Sequence, residues 1–102
     1  MTYKGYEVIV AYNGREGIYF AKEKRPDLIL MDVMMPIMNG IDATLEIRKD
    51  QNLKRIPIIA LTALAMPGDR ERCLEAGMTD YMSKPVKLNE LIEIIEKYTT
   101  QV

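Results

Sequence analysis

The chain contains no histidine and no tryptophan, and only one cysteine and one phenylalanine among its 102 residues. Without histidine it has no imidazole base, no histidine metal ligand and no phosphohistidine of its own, so any such group that the chemistry needs must lie elsewhere. Cys73 stands alone, which excludes an intrachain disulfide and fits a reducing, cytoplasmic setting. No apolar run reaches the ~18–20 residues of a membrane span, and no secretory leader is visible at Met1. Charge of one sign is also lacking: Lys and Arg number 14 against 15 Asp and Glu, a net −1. That excludes the basic stripe with which a domain of this size would grip nucleic acid or an acidic membrane surface. What remains is an ordinary globular balance, 48% apolar and 28% charged, with length for a single domain over residues 1–102.

Periodic segments follow one another with short turns between them. Tyr6-Glu7-Val8-Ile9-Val10-Ala11 reads as a strand rich in β-branched residues. Asn13 with Glu16 three residues on is a helix-starting pair, and that helix runs to about Lys24. After Pro26-Asp27 comes an apolar strand over Leu28–Met31, then a helix from about Ile41 to Lys49 and a strand over Ile58–Leu61. Pro67 suits the first turn of a third helix and Gly77 its left-handed stop. A short strand at Tyr81–Ser83 leads to a last, amphipathic helix carrying Leu88, Leu91, Ile92 and Ile95. Strict alternation of apolar strands and helices predicts an α/β fold: four parallel strands with four helices on both faces. Eight methionines suit core gap-filling better than a soft-metal site.

The chemistry gathers at strand ends. The run Leu28-Ile29-Leu30-Met31 delivers Asp32, and Pro36 with Asn39-Gly40 reads as the loop that follows. Ile58–Leu61 delivers Thr62, and Tyr81-Met82-Ser83 delivers Lys84. Open parallel sheets keep their reactive groups at the carboxyl edge. An aspartate there is often only a turn former, but an acid, a hydroxyl and an amine on successive strands point to phosphate handling. A carboxylate can take a phosphoryl group as a nucleophile, and the transferring group needs cations and donors around it.

With the segments Leu28–Gly40 (LILMDVMMPIMNG), Leu61-Thr62-Ala63 and Ser83-Lys84-Pro85, the chain resembles the receiver domains of two-component response regulators from about Tyr6 to Tyr98. The resemblance implies a flavodoxin-like sheet with strand order 2-1-3-4-5, an order not read from these residues. It implies Asp32 as phosphoacceptor from a histidine kinase or phosphotransfer protein, with Thr62 and Lys84 holding the phosphoryl oxygens. It further implies Mg2+ held by Asp32 and the Met34 backbone carbonyl, and Tyr81 as the aromatic that turns inward on activation.

The chain also departs from that pattern. Met1-Thr2-Tyr3-Lys4-Gly5 reads as the tail of the family's first helix, so the first βα unit and its magnesium-binding acidic pair are expected to be absent. Asn13 is a neutral, poor substitute. Metal binding is then expected to be weak and phosphorylation impaired or absent. An empty slot would remain beside Leu28–Met31, to be closed by direct strand pairing or filled by a second copy; a homodimer through the exposed edges and uncovered apolar face is the expectation. The alternative function is a pseudo-receiver, a non-enzymatic interaction or dimerisation module. A phosphatase or mutase with an aspartyl nucleophile usually carries a second aspartate two residues on, where this chain has Met34. A flavin site would need a Gly/Ser/Thr-rich loop after the first strand, which is missing.

Overall fold

The computed structural model describes residues 2–32, 37–62 and 68–99. In chain order the elements are β1 (Thr2–Tyr3), β2 (Tyr6–Ala11), α1 (Gly14–Lys24), β3 (Leu28–Asp32), α2 (Ile37–Lys49), β4 (Ile58–Thr62), α3 (Asp69–Glu75), β5 (Asp80–Ser83) and α4 (Leu88–Thr99). Strands β2 to β5 form a parallel sheet with register Val8↔Leu28, Ile29↔Ile58 and Ile59↔Asp80. The expected α/β layering, four parallel strands and four helices, is present.

The opening residues differ from the sequence reading. Thr2–Tyr3 is not a helix tail but a strand, antiparallel to β2 with Tyr3 opposite Tyr6. The two residues between them, Lys4 and Gly5, have φ of 51° and 88°. Two left-handed residues make the turn whose twist matches that of a hairpin.

Nor is there a slot beside β3. The strands run in sequence, β1-β2-β3-β4-β5, rather than in the order 2-1-3-4-5 with a gap. Direct pairing of β2 with β3 gives ladder partners to backbone groups that a gap would leave bare; each such bond contributes about 1 kcal/mol net. The outer edge of β2 is guarded at both ends. The hairpin covers Tyr6 and Glu7, and the Tyr12 N–H donates to Glu16 Oε1 at 3.0 Å.

Strand residues alternate between two cores, as a period of two requires. Ile29, Met31, Ile58 and Ala60 face Ala21 of α1, Ala43 and Ile47 of α2 and Cys73 of α3. Among the described residues, Val8, Leu28, Leu30, Ile59, Leu61 and Met82 face Leu91 and Ile95 of α4. Each of those six strand residues is at most 5% exposed. On α4 itself Leu91 and Ile95 are buried, Ile92 and Ile94 are half-buried, and Leu88, in the first turn, is 67% exposed.

Local chemistry sets the helix ends. Asn13 Oδ1 accepts from the Glu16 N–H at 2.9 Å and caps α1. Helix α2 starts a turn earlier than expected, so Asn39 and Gly40 belong to the helix rather than to a loop; a glycine near a helix start costs only about 1 kcal/mol against alanine. Gly77, at φ 105°, ends α3: its N–H reaches the Leu74 carbonyl and that of Met78 reaches Cys73. Pro36 and Pro67 lie outside the described residues.

Candidate functional site

Pairing of the strands carries the three polar residues to one edge. Asp32 is the last residue of β3, opposite Leu61, and Thr62 is the last of β4, opposite Ser83. Lys84 follows β5, with its backbone N–H on the Thr62 carbonyl at 2.8 Å and a cis peptide bond to Pro85. Its side chain turns back across the sheet end, and Lys84 Nζ lies 2.6 Å from Asp32 Oδ2. The pair is largely shielded, the side chains being 29% and 12% exposed, and Thr62 is 3% exposed. A carboxylate and an ammonium group thus meet where the strands end, and the neighbouring strand ends in buried Thr62. In a site that holds little water, such a pair attracts more strongly than at the surface.

The other expected participants are placed less decisively. Tyr81 is half-buried against the core under α1–α3. Met34 lies outside the described residues. Asn13 shares the carboxyl edge, but its side-chain oxygen is committed to capping α1.

Magnesium keeps an octahedral shell of oxygens, usually one or two carboxylates with carbonyls and waters. Asp32 brings one carboxylate, and one of its oxygens already meets Lys84. Among the described residues no group of three or more His, Cys, Asp or Glu side chains could hold a metal ion. These residues do not by themselves fit a magnesium centre.

Two features escaped the sequence reading. Arg48 of α2 reaches out half-buried, donating to the carbonyls of Gly77 (2.8 Å), Ile56 (2.7 Å) and Lys54 (3.0 Å) and to Thr79 Oγ1 (3.3 Å). Nothing in its exposed-looking context, Glu46-Ile47-Arg48-Lys49, marks it as a clasp between three loops. The second is an open groove of about 540 Å3 between α1 and α2, lined by Asn13, Arg15, Ile18, Asp42 and Glu46. It depends on helix packing and has no local signature. Asp32 does not line it.

Similarity to known proteins bears on the family and the fold. Residues 1–96 match the family described as the response regulator receiver domain. The chain is 46% identical over 94 residues to the polar-differentiation response regulator DivK of Brucella anthropi, covering 92% of this chain and 76% of that protein. Among solved structures, the receiver domain of a sensor histidine kinase from Pseudomonas aeruginosa, with a magnesium ion in its active-site cleft, superposes with TM-score 0.81 at 36% identity. It covers 94% of this chain and 98% of that one. The signal receiver domain of a histidine kinase from Syntrophus aciditrophicus superposes with TM-score 0.77 at 29% identity, over 93% of this chain and 90% of that one. No described helix is long and apolar enough to cross a membrane.

Proposed function

Because the chain belongs to the response regulator receiver family, we propose that Asp32 is its phosphoacceptor, with Lys84 and Thr62 receiving the phosphoryl oxygens. Receivers of two-component systems work with histidine kinases or phosphotransfer proteins and are generally not enzymes themselves. Residues 1–102 hold no histidine, so the donor imidazole lies outside them.

An oxygen of Asp32 attacks the phosphorus of the partner's phosphohistidine. The O–P bond forms as the N–P bond breaks, and the imidazole departs with the electron pair and takes up a proton. Charge then spreads over three phosphoryl oxygens. Lys84, already 2.6 Å from Oδ2, moves its ammonium onto one of them, and the Thr62 hydroxyl donates to another. Tyr81, half-buried beside them in the sheet, is the aromatic that follows Thr62 inward. Magnesium, when bound, would screen the carboxylate from the incoming phosphoryl group. The described residues supply one carboxylate for it, so binding is weak and transfer is slow.

The observation that carries this reading is the Lys84–Asp32 contact at the carboxyl edge, beside buried Thr62. The single-carboxylate donor set favours a second reading, a pseudo-receiver that binds partners without being phosphorylated. Intact-mass analysis after incubation with acetyl phosphate, with and without magnesium, tests the two. The first reading expects slow gain of one phosphoryl group by the wild type and none by Asp32→Asn. No gain under any condition leaves the pseudo-receiver.

A further inference from the structure

We propose that the α1–α2 surface is a homodimer interface in which α1 of each copy lies on α2 of the other. The starting point is where the exposed apolar side chains fall. Five large hydrophobic residues among those described are exposed, and three fall on or next to these two helices: Tyr12 (69%), Tyr19 (57%) and Leu45 (44%). Tyr12 precedes groove-lining Asn13, while Tyr19 and Leu45 sit on the bodies of the two helices that form the groove. Large tyrosines left in water on adjoining elements are the residues that anchor protein contacts.

Charge identifies the occupant. Arg15 on the α1 wall and Asp42 on the α2 wall line the same groove, yet neither forms an ion pair with any described residue. Glu46 adds a second acid to the α2 wall, held only by Lys49 at 3.4 Å. A uniformly acidic or basic partner would meet like charge on one of the walls. A second copy would not. Helices α1 and α2 each follow a strand of one parallel sheet, so they run side by side in the same direction. A two-fold axis along the groove lays α1 of one copy on α2 of the other at the same height. Arg15 of each then faces Asp42 of its partner, making two identical contacts, as an isologous interface requires. The β2 edge cannot serve in this way because its ends are already guarded. The proposal does not involve Asp32 and stands apart from the phosphoacceptor assignment.

Sedimentation equilibrium of the wild type, Arg15→Glu, Asp42→Arg and an equimolar mixture of the two variants tests the interface. The wild type should approach twice 11.7 kDa with rising concentration. Each variant alone turns both contacts into like-charge contacts and should self-associate about tenfold more weakly or worse. The mixture should recover the dimer. In it, the acid introduced at position 15 of one variant meets the base introduced at position 42 of the other, while the unaltered Arg15 and Asp42 meet at the second contact. Circular dichroism melts confirm that each variant is folded; an acid at position 15 lies in the first turn of α1, where a helix favours negative charge. A wild type that stays monomeric up to ~1 mM overturns the proposal. So does a dimer indifferent to both substitutions, or single variants that are weakened but not rescued by mixing.

Discussion

Lys84 and Asp32, 52 positions apart in the chain, meet at 2.6 Å across the ends of β3 and β5. The contact is asymmetric in its surroundings. The aspartate is 12% exposed on a short side chain, while the lysine is 29% exposed on a long one. Replacing Lys84 by Met leaves a shielded carboxylate without its ammonium and should destabilise the fold by about 1–3 kcal/mol. Replacing Asp32 by Asn lets the lysine swing its head into water and should cost less. Urea unfolding of the two variants checks the order; equal losses would mean that the two sites are equally shielded.

Gly17 of α1 sits directly on Met31 of β3. A Cβ at position 17 would lie 2.4 Å from Met31 Cε and 2.9 Å from its Sδ. Alanine is the better helix former by about 1 kcal/mol, but Met31 is fully buried and must be displaced within a packed core. We expect Gly17→Ala to destabilise the domain by about 1–2 kcal/mol. The double variant with Met31→Leu, which shortens the obstructing side chain, should recover part of that loss in the same unfolding assay.

Arg48 joins the start of β4 to the end of α3. Burial lowers its pKa from the ordinary guanidinium value, and its partners are carbonyls and the Thr79 hydroxyl rather than a carboxylate. Thr79 also accepts from the Ile58 N–H through the same hydroxyl oxygen and donates its own N–H to the Ile58 carbonyl. Arg48→Met should cost about 2–4 kcal/mol, since several charge-assisted hydrogen bonds go at once. Lysine should restore only part of this, lacking the planar fork. Hydrogen exchange should rise at Ile58 and Thr79 in the methionine variant; unchanged protection there would show that the clasp is dispensable.

How much of this was legible beforehand follows from the range of each interaction. The buried runs ending in Asp32 and Thr62 and the alternation of strands and helices are local patterns, and they located both the sheet and the edge where Asp32, Thr62 and Lys84 stand. The Asn13–Glu16 cap and the Gly77 stop are likewise short-range. The hairpin was hidden because its turn is Lys4-Gly5, with lysine where asparagine or glycine usually signals a left-handed residue. Direct pairing of β2 with β3 depends on which backbones meet across the chain, and no residue in either strand encodes it. The same is true of the α1–α2 groove and of Arg48, whose partners lie 6 to 31 positions away.

The most direct test of Asp32 as phosphoacceptor is a two-dimensional NMR titration with beryllofluoride, an analogue of the phosphoryl group, in the presence of magnesium. The phosphoacceptor assignment expects amide shifts concentrated at Asp32, Thr62, Tyr81 and Lys84, lost in Asp32→Asn. A spectrum that does not respond at saturating analogue, or shifts centred away from the carboxyl ends of β3, β4 and β5, would contradict it.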